Sequence, residues 1–153
     1  MLSEAFSEVY TKFKLHFYKK IFQRFDHREA TLSTVETFSM ECIMALGEPT
    51  IAQFSNMMQI STPNAAYKVN SLIRKGYVEK VQNPNDRREY HLRPTQKYID
   101  YYNVSYVYLE RVMARIQERF PQEDVDKLES MLRIISDELM PEIALKGDKE
   151  KEV

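Results

Sequence analysis

The sequence predicts a mainly α fold with a small β-hairpin wing, a winged helix-turn-helix flanked by N- and C-terminal dimerisation helices. Three observations lead there. Apolar residues recur at three- and four-residue spacing through most of the 153 residues. Residues 77–92 break that rhythm with two short alternating runs around Asn83-Pro84-Asn85-Asp86, a turn-rich segment. The helix expected just before this hairpin follows another after only Gln59 to Ser61, the spacing of a helix-turn-helix.

Each element has its own signal. Phe6, Val9, Tyr10, Phe13, Phe17, Ile21 and Phe25 trace one face of a first helix over about five turns. Ser33 with Glu36 forms a capping box, so a second helix starts there and is expected to turn Val35, Phe38, Cys42 and Leu46 inward. Thr50 and Gln53 repeat the device for a short third helix, with Ile51, Phe54 and Met58 inside. A fourth begins at Ser61 or Thr62, because Pro63 suits a first helical position and Thr62 can cap the free amides. Ala65, Val69, Leu72 and Ile73 are its buried stripe. Tyr77 to Val81 and Arg88 to Leu92 then form the hairpin.

Beyond Pro94 a long helix is expected to about Phe120, carrying Tyr98, Tyr101, Tyr102, Val104, Tyr108, Val112 and Ile116. After Pro121 a last helix carries Val125, Leu128, Leu132, Ile135 and Leu139. Gly47, Gly76 and Gly147 each follow a helical stretch, where a left-handed cap is wanted. Residues 1–30 and 95–145 are thus the expected helical dimerisation region, 31–94 the winged helix-turn-helix, and 146–153 a flexible tail.

Several function classes find no support. No apolar run approaches the roughly 18 residues of a membrane span, and the charged N-terminus is unlike a signal peptide, so a cytoplasmic protein without membrane contact is expected. Cys42 is the only cysteine, with no Lys, Arg or His within one turn, and is expected to be a small buried hydrophobe. His16, His27 and His91 have no ligand spacing, so no metal and no cofactor is expected. There is no nucleophile elbow, Gly-rich phosphate loop or metalloprotease helix, which argues against an enzyme.

The net charge of -1 hides a segregation that points to a polyanion. Residues 60–93 hold seven cations against three anions, while 121–153 hold five against ten. With Ala65, Val69 and Leu72 inward, the fourth helix offers Ser61, Thr62, Pro63, Asn64, Tyr67, Lys68 and Ser71 to a major groove. Asn can pair adenine bidentately, Thr and Tyr can bond base or phosphate, and Lys neutralises phosphate. At the hairpin tip, Asn85, Asp86, Arg87 and Arg88 suit a minor groove, one guanidinium entering while the carboxylate orients it.

The segment from Ser61 to Thr95, STPNAAYKVNSLIRKGYVEKVQNPNDRREYHLRPT, resembles the multiple-antibiotic-resistance regulators, the MarR family. It is similar to that family's recognition helix, Leu-x-x-x-Gly-Tyr/Leu-Val turn and DPxDRR wing, and helix order and length fit over almost the whole chain. Asn83 stands where the family's wing opens with Asp, Pro94 where a Leu-Thr pair has Leu, and Tyr98 where the next helix often has Gly. The resemblance implies that Asp86 and Arg88 are the wing's Asp-x-Arg pair, with Arg88 in the minor groove. It also implies double-stranded DNA as a partner and a homodimer whose terminal helices interleave. Two half-sites about one helical turn apart demand the same pairing, and the long apolar stripes supply a surface for it.

A repressor on a palindromic operator, released by a small apolar or aromatic effector near Phe13, His16, Phe17 and Tyr102, is the resulting expectation, with plain aromatic packing as the alternative at those residues. The rival function is a winged helix that binds protein. It expects the wing and fourth-helix cations to be capped by acids, whereas a DNA reader leaves them open.

Overall fold

The computed structural model describes residues 1–26, 32–102 and 104–145, and the side chains of these except at 24–26, 101, 102, 104 and 105. The expectations for the side chains of Phe25, Tyr101, Tyr102 and Val104, for Gly147 and for the tail 146–153 lie outside the described residues. The elements run α1 (Leu2–Asp26), α2 (Thr34–Leu46), α3 (Ile51–Met58), α4 (Thr62–Arg74), β1 (Val78–Asn83), β2 (Asp86–Pro94), α5 (Gln96–Tyr102), α6 (Val104–Arg119) and α7 (Gln122–Glu138). Two compact units emerge: Met1–Thr31 with Tyr101–Leu132, and Leu32–Asp100 with Arg133–Val153. No helix among the described residues is long and apolar enough to cross a membrane.

In the second unit the helix starts are set by side chains within three residues of the chain. Ser33 accepts the Glu36 N–H while Glu36 accepts the Ser33 N–H, and Thr50 and Gln53 reciprocate in the same way. The cap of α4 is Ser61, whose hydroxyl accepts the Asn64 N–H, so Thr62 is the first helical residue rather than the cap. Gly47 (φ 62°) and Gly76 (φ 79°) close α2 and α4 in the left-handed region. At Gly76 an added Cβ would meet only the Lys97 side chain at 3.8 Å, so backbone conformation and not space requires the glycine.

Met40, Ile43, Phe54, Ala65, Val69, Leu72 and Leu92 are completely buried and form this unit's core with Tyr77 and Val78. Each large apolar side chain removed from water contributes about 1.5–3 kcal/mol. The inner face of α2 differs from expectation. Thr37, Ser39, Met40 and Ile43 are buried, Cys42 and Leu46 only half-buried, and Val35 and Phe38 are exposed. Two of the four buried residues, Thr37 and Ser39, are polar while Val35 and Phe38 are apolar and exposed, so apolar periodicity does not choose the face; packing against α3, α4 and β2 does.

The hairpin is antiparallel, with Val78 opposite Pro94, Lys80 opposite Leu92 and Gln82 opposite Tyr90. Its strands extend to Asn83 and from Asp86, leaving a tighter tip than the four-residue turn expected, and a register shift follows Gln82. Tyr98, assigned from sequence to the flanking helical region, has its ring buried in this unit.

The first unit is built from rings. Phe13 meets Tyr108 edge-on at 5.5 Å between centroids, and His16 stacks on Tyr108 at 3.6 Å. Phe13, His16, Phe17 and Ile21 on α1 and Tyr108, Val112 and Ile116 on α6 are half-buried. Phe6, Val9 and Tyr10 of the expected stripe are more than half exposed.

Candidate nucleic-acid interface

A reading head needs a rigid base and an open tip, and the second unit separates the two. The turn between α3 and α4 is held by Gln59 in the left-handed region (φ 53°), by the Ile60 N–H on the Ser55 carbonyl, and by the Ser55 hydroxyl on the Ile60 carbonyl at 2.7 Å. Alpha4 is tied to the start of α2 through one carboxylate. Glu36 accepts the Ser71 hydroxyl at 2.9 Å, the Lys75 ammonium at 2.7 and 3.0 Å, and the Ser33 N–H at 2.8 Å. Burial alone would raise the pKa of Glu36, but the hydrogen bonds from Lys75, Ser33 and Ser71 outweigh it and hold the carboxyl below its usual value.

The wing is anchored at its base in the same manner. Arg93 donates to Glu48 through Nε at 2.7 Å, and the Leu92 N–H reaches the Pro49 carbonyl at 2.8 Å. The Glu48 carbonyl, in a left-handed residue (φ 56°), lies 2.8 Å from Nδ1 of His91, which must carry the proton to donate there. Just before β1 and just after β2, Lys97 lies over the Tyr77 ring and donates to the Lys75 carbonyl at 2.7 Å, while the Thr95 hydroxyl donates to the Gly76 carbonyl at 2.6 Å.

At the tip, Asn83 accepts the Asn85 N–H and Asp86 accepts the Arg88 N–H, both at 2.9 Å, so two Asx turns shape the loop. Gln82 donates to the Arg87 carbonyl, and Asn83 donates to Glu89. The Arg88 side chain is 97% exposed, with Nε 3.9 Å from Asp86. Arg87 is exposed and makes no ion pair among the described residues.

On α4, Ser61, Thr62, Pro63, Asn64 and Tyr67 are exposed and lie at the helix start, Tyr67 at 71%. Lys68 and Ser71 are half-buried, and the Ser71 hydroxyl hydrogen is already given to Glu36. Sequence reasoning misses Asn70 and Arg74, which are exposed. Counted back from the buried Ala65, Val69 and Leu72 at 100° per residue, they fall with Pro63 and Tyr67 on the outward stripe. That periodicity is a sufficient signal for both. The basic segment therefore divides: Lys75 and Arg93 are structural ties held at 2.7 Å by acids, while the tip carries Arg87, with no ion pair among the described residues, and Arg88, 97% exposed with a long 3.9 Å contact to Asp86.

The expected effector residues fall on the other unit. Phe13 and His16 are engaged by Tyr108, and the Tyr102 side chain lies outside the described residues. Burial first, then Lys20, Arg111 and Lys19, lowers the His16 pKa. Burial raises that of the Cys42 thiol, which disfavours the reactive thiolate.

The MarR family model matches residues 32–90. No curated protein sequence matches the chain. Among solved structures it is similar to a MarR family protein from Bacillus stearothermophilus, at 17% identity and TM-score 0.62 over 90% of this chain and 92% of that one. A mutant of MepR from a multidrug-resistant S. aureus clinical isolate superposes with TM-score 0.64 at 13% identity, over 92% and 98%. Streptococcus pneumoniae FabT in complex with DNA superposes with TM-score 0.58 at 20% identity, over 90% and 94%.

Proposed function

We propose that this chain, whose residues 32–90 match the MarR family model and whose fold is similar to solved structures of that family, is a sequence-specific DNA-binding transcriptional repressor that acts as a homodimer on a palindromic operator. The observation that carries this is the wing tip. Arg88 extends a 97% exposed guanidinium, with only Asp86 beside it at 3.9 Å, from a hairpin whose base is fixed by Glu48, Pro49 and Thr95. A fixed stem with an open cation is what backbone and minor-groove contact requires.

Ser61, Thr62, Pro63, Asn64, Tyr67, Lys68 and Ser71 face the major groove in this proposal, joined by Asn70 and Arg74. Asn85, Asp86, Arg87 and Arg88 face the minor groove. The homodimer is supported by exposed apolar side chains on the first unit's helices, Phe6, Tyr106, Leu128 and Met131 among them. A small apolar or aromatic effector acting near Phe13, His16, Phe17 and Tyr102 is the release signal. A panel of phenolic compounds should contain one that raises the melting temperature and weakens DNA binding.

Titrating salt with a duplex recovered from random DNA tests the wing directly. Arg88→Ala should weaken binding and flatten the slope of log affinity against log salt by about one unit. An unchanged slope would remove Arg88 from the interface, and failure to enrich any sequence would favour the protein-binding alternative.

A further inference from the structure

Resting on the DNA-binding proposal above, we infer that His91 is a positioning residue for the wing. When its ring takes up a proton it ties Glu89 to the Glu48 carbonyl and braces the hairpin, so the wing is stiffest, and DNA binding strongest, in mild acid.

A line of polar groups runs from the tip of the hairpin to its base. The Asn85 N–H donates to Asn83, and the Asn83 amide donates to Glu89 at 2.5 Å. Nε2 of His91 lies 3.7 Å from the same Glu89 oxygen, and Nδ1 lies 2.8 Å from the Glu48 carbonyl. Glu48 in turn holds Arg93. Every link but one has its hydrogen. A carbonyl oxygen can only accept, so Nδ1 takes the single proton of a neutral imidazole and Nε2 turns a lone pair toward the carboxylate. Two acceptors then face each other. A second proton makes Nε2 a donor, and a small movement of ring or carboxylate brings the pair to the length of about 2.7–2.9 Å that a charge-assisted hydrogen bond prefers.

The charges around the ring leave this task to His91. Strand alternation sets Glu89, His91 and Arg93 on one face of β2, and the register places Val81 and Glu79 of β1 opposite the last two. The link between α2 and α3 adds Glu48, and α3 carries no titratable side chain. On α2, Glu36 is bound to Lys75, and Glu41 and Cys42 are the other titratable groups. Glu48, Glu79 and Glu89 thus share one fixed cation, Arg93, and Glu48 holds it at 2.7 Å. Glu89 makes no ion pair with Lys or Arg among the described residues.

Histidine is the side chain that changes charge between pH 5 and 8, and at 31% exposure this one can exchange protons with water. The consequence reaches the tip because Arg88 immediately precedes Glu89. A tip ordered beforehand loses less freedom on docking, so bracing and affinity rise together.

The free full-length protein is measured first. Amide protection at Asn85 and Arg88, corrected for the intrinsic pH dependence of exchange, should be about two- to fivefold higher at pH 6 than at pH 8. His91→Asn and Glu89→Gln should each remove that difference. The second change is on an exposed side chain and keeps an acceptor for Asn83, so it separates bracing from misfolding. Were the proton acting only as added positive charge, Glu89→Gln would leave the response in place. At fixed salt, affinity for a duplex selected from random DNA should rise by a similar factor from pH 8 to pH 6 in the parent and not in Glu89→Gln. Equal protection at the two pH values, a response that survives Glu89→Gln, or an affinity indifferent to a responsive tip overturns the inference and leaves DNA binding standing. A responsive tip with no duplex bound upholds the brace and overturns the DNA-binding proposal instead.

Discussion

The two units differ in how completely each covers its own apolar residues. The second buries seven apolar side chains to zero exposure and braces its surface with ion pairs from Glu36 to Lys75 and from Glu48 to Arg93. In the first, none of the described side chains is fully buried, and Phe6 and Tyr106 are 58% and 62% exposed. The same three- and four-residue spacing runs through both. Periodicity therefore marks a face to be covered without saying by what, and only residues 32–100 of the second unit have a closed core of their own, while Leu139, Met140 and Ile143 of the same unit stay exposed.

The largest expected effect is in the better-packed unit. Phe54→Ala should cost about 3–5 kcal/mol in urea denaturation, from lost transfer energy plus the cavity left behind. A loss under about 1 kcal/mol would break the contrast, showing this core to be no tighter than the rest.

Next in size is Glu36→Gln, which removes the charged acceptor for Lys75 and should cost on the order of 2 kcal/mol. Its pH dependence sharpens the test. The folded pKa of Glu36 is depressed, so its contribution is complete above the ordinary carboxylate value near 4.5 and is lost as pH falls through the lower folded value. The variant should lack that part of the acid limb, whereas a variant that follows the parent curve would deny Glu36 its role as a tie.

Smallest is Met131→Gln on the half-exposed face of α7, expected within about 0.5 kcal/mol when the protein is dilute enough to be monomeric. Its effect should grow at higher concentration, as the proposed pairing of two copies requires. A large, concentration-independent loss would place Met131 in a closed core and erase the difference between the units.

Much of the second unit was legible because its signals are local. Ser33 with Glu36, Thr50 with Gln53, and Gly76 each act on backbone atoms within three residues, so spacing alone identifies them. The wing's Asx turns are equally short in range. Glu36 was legible only in half its work. Its bonds to Ser71 and Lys75 cross 35 and 39 residues, a distance over which sequence carries no geometric information. They also change what Ser71 offers, since a hydroxyl recognised only as outward-facing proves to have its hydrogen in use.

The chain's own order of residues determined where helices begin and end, where the hairpin turns, and that its tip would be basic, because caps, turns and alternation depend on atoms a few bonds apart. Tertiary packing decided which side of α2 became the interior, choosing Met40 and Ile43 over Val35 and Phe38. It also decided which cations stayed exposed at the tip, Arg87 and Arg88, and which became struts with short ion pairs, Lys75 and Arg93. Both choices follow from what distant segments bring against a surface: burial goes to the face that meets complementary side chains, and a cation becomes a strut where the fold sets a distant acid within 2.7 Å of it.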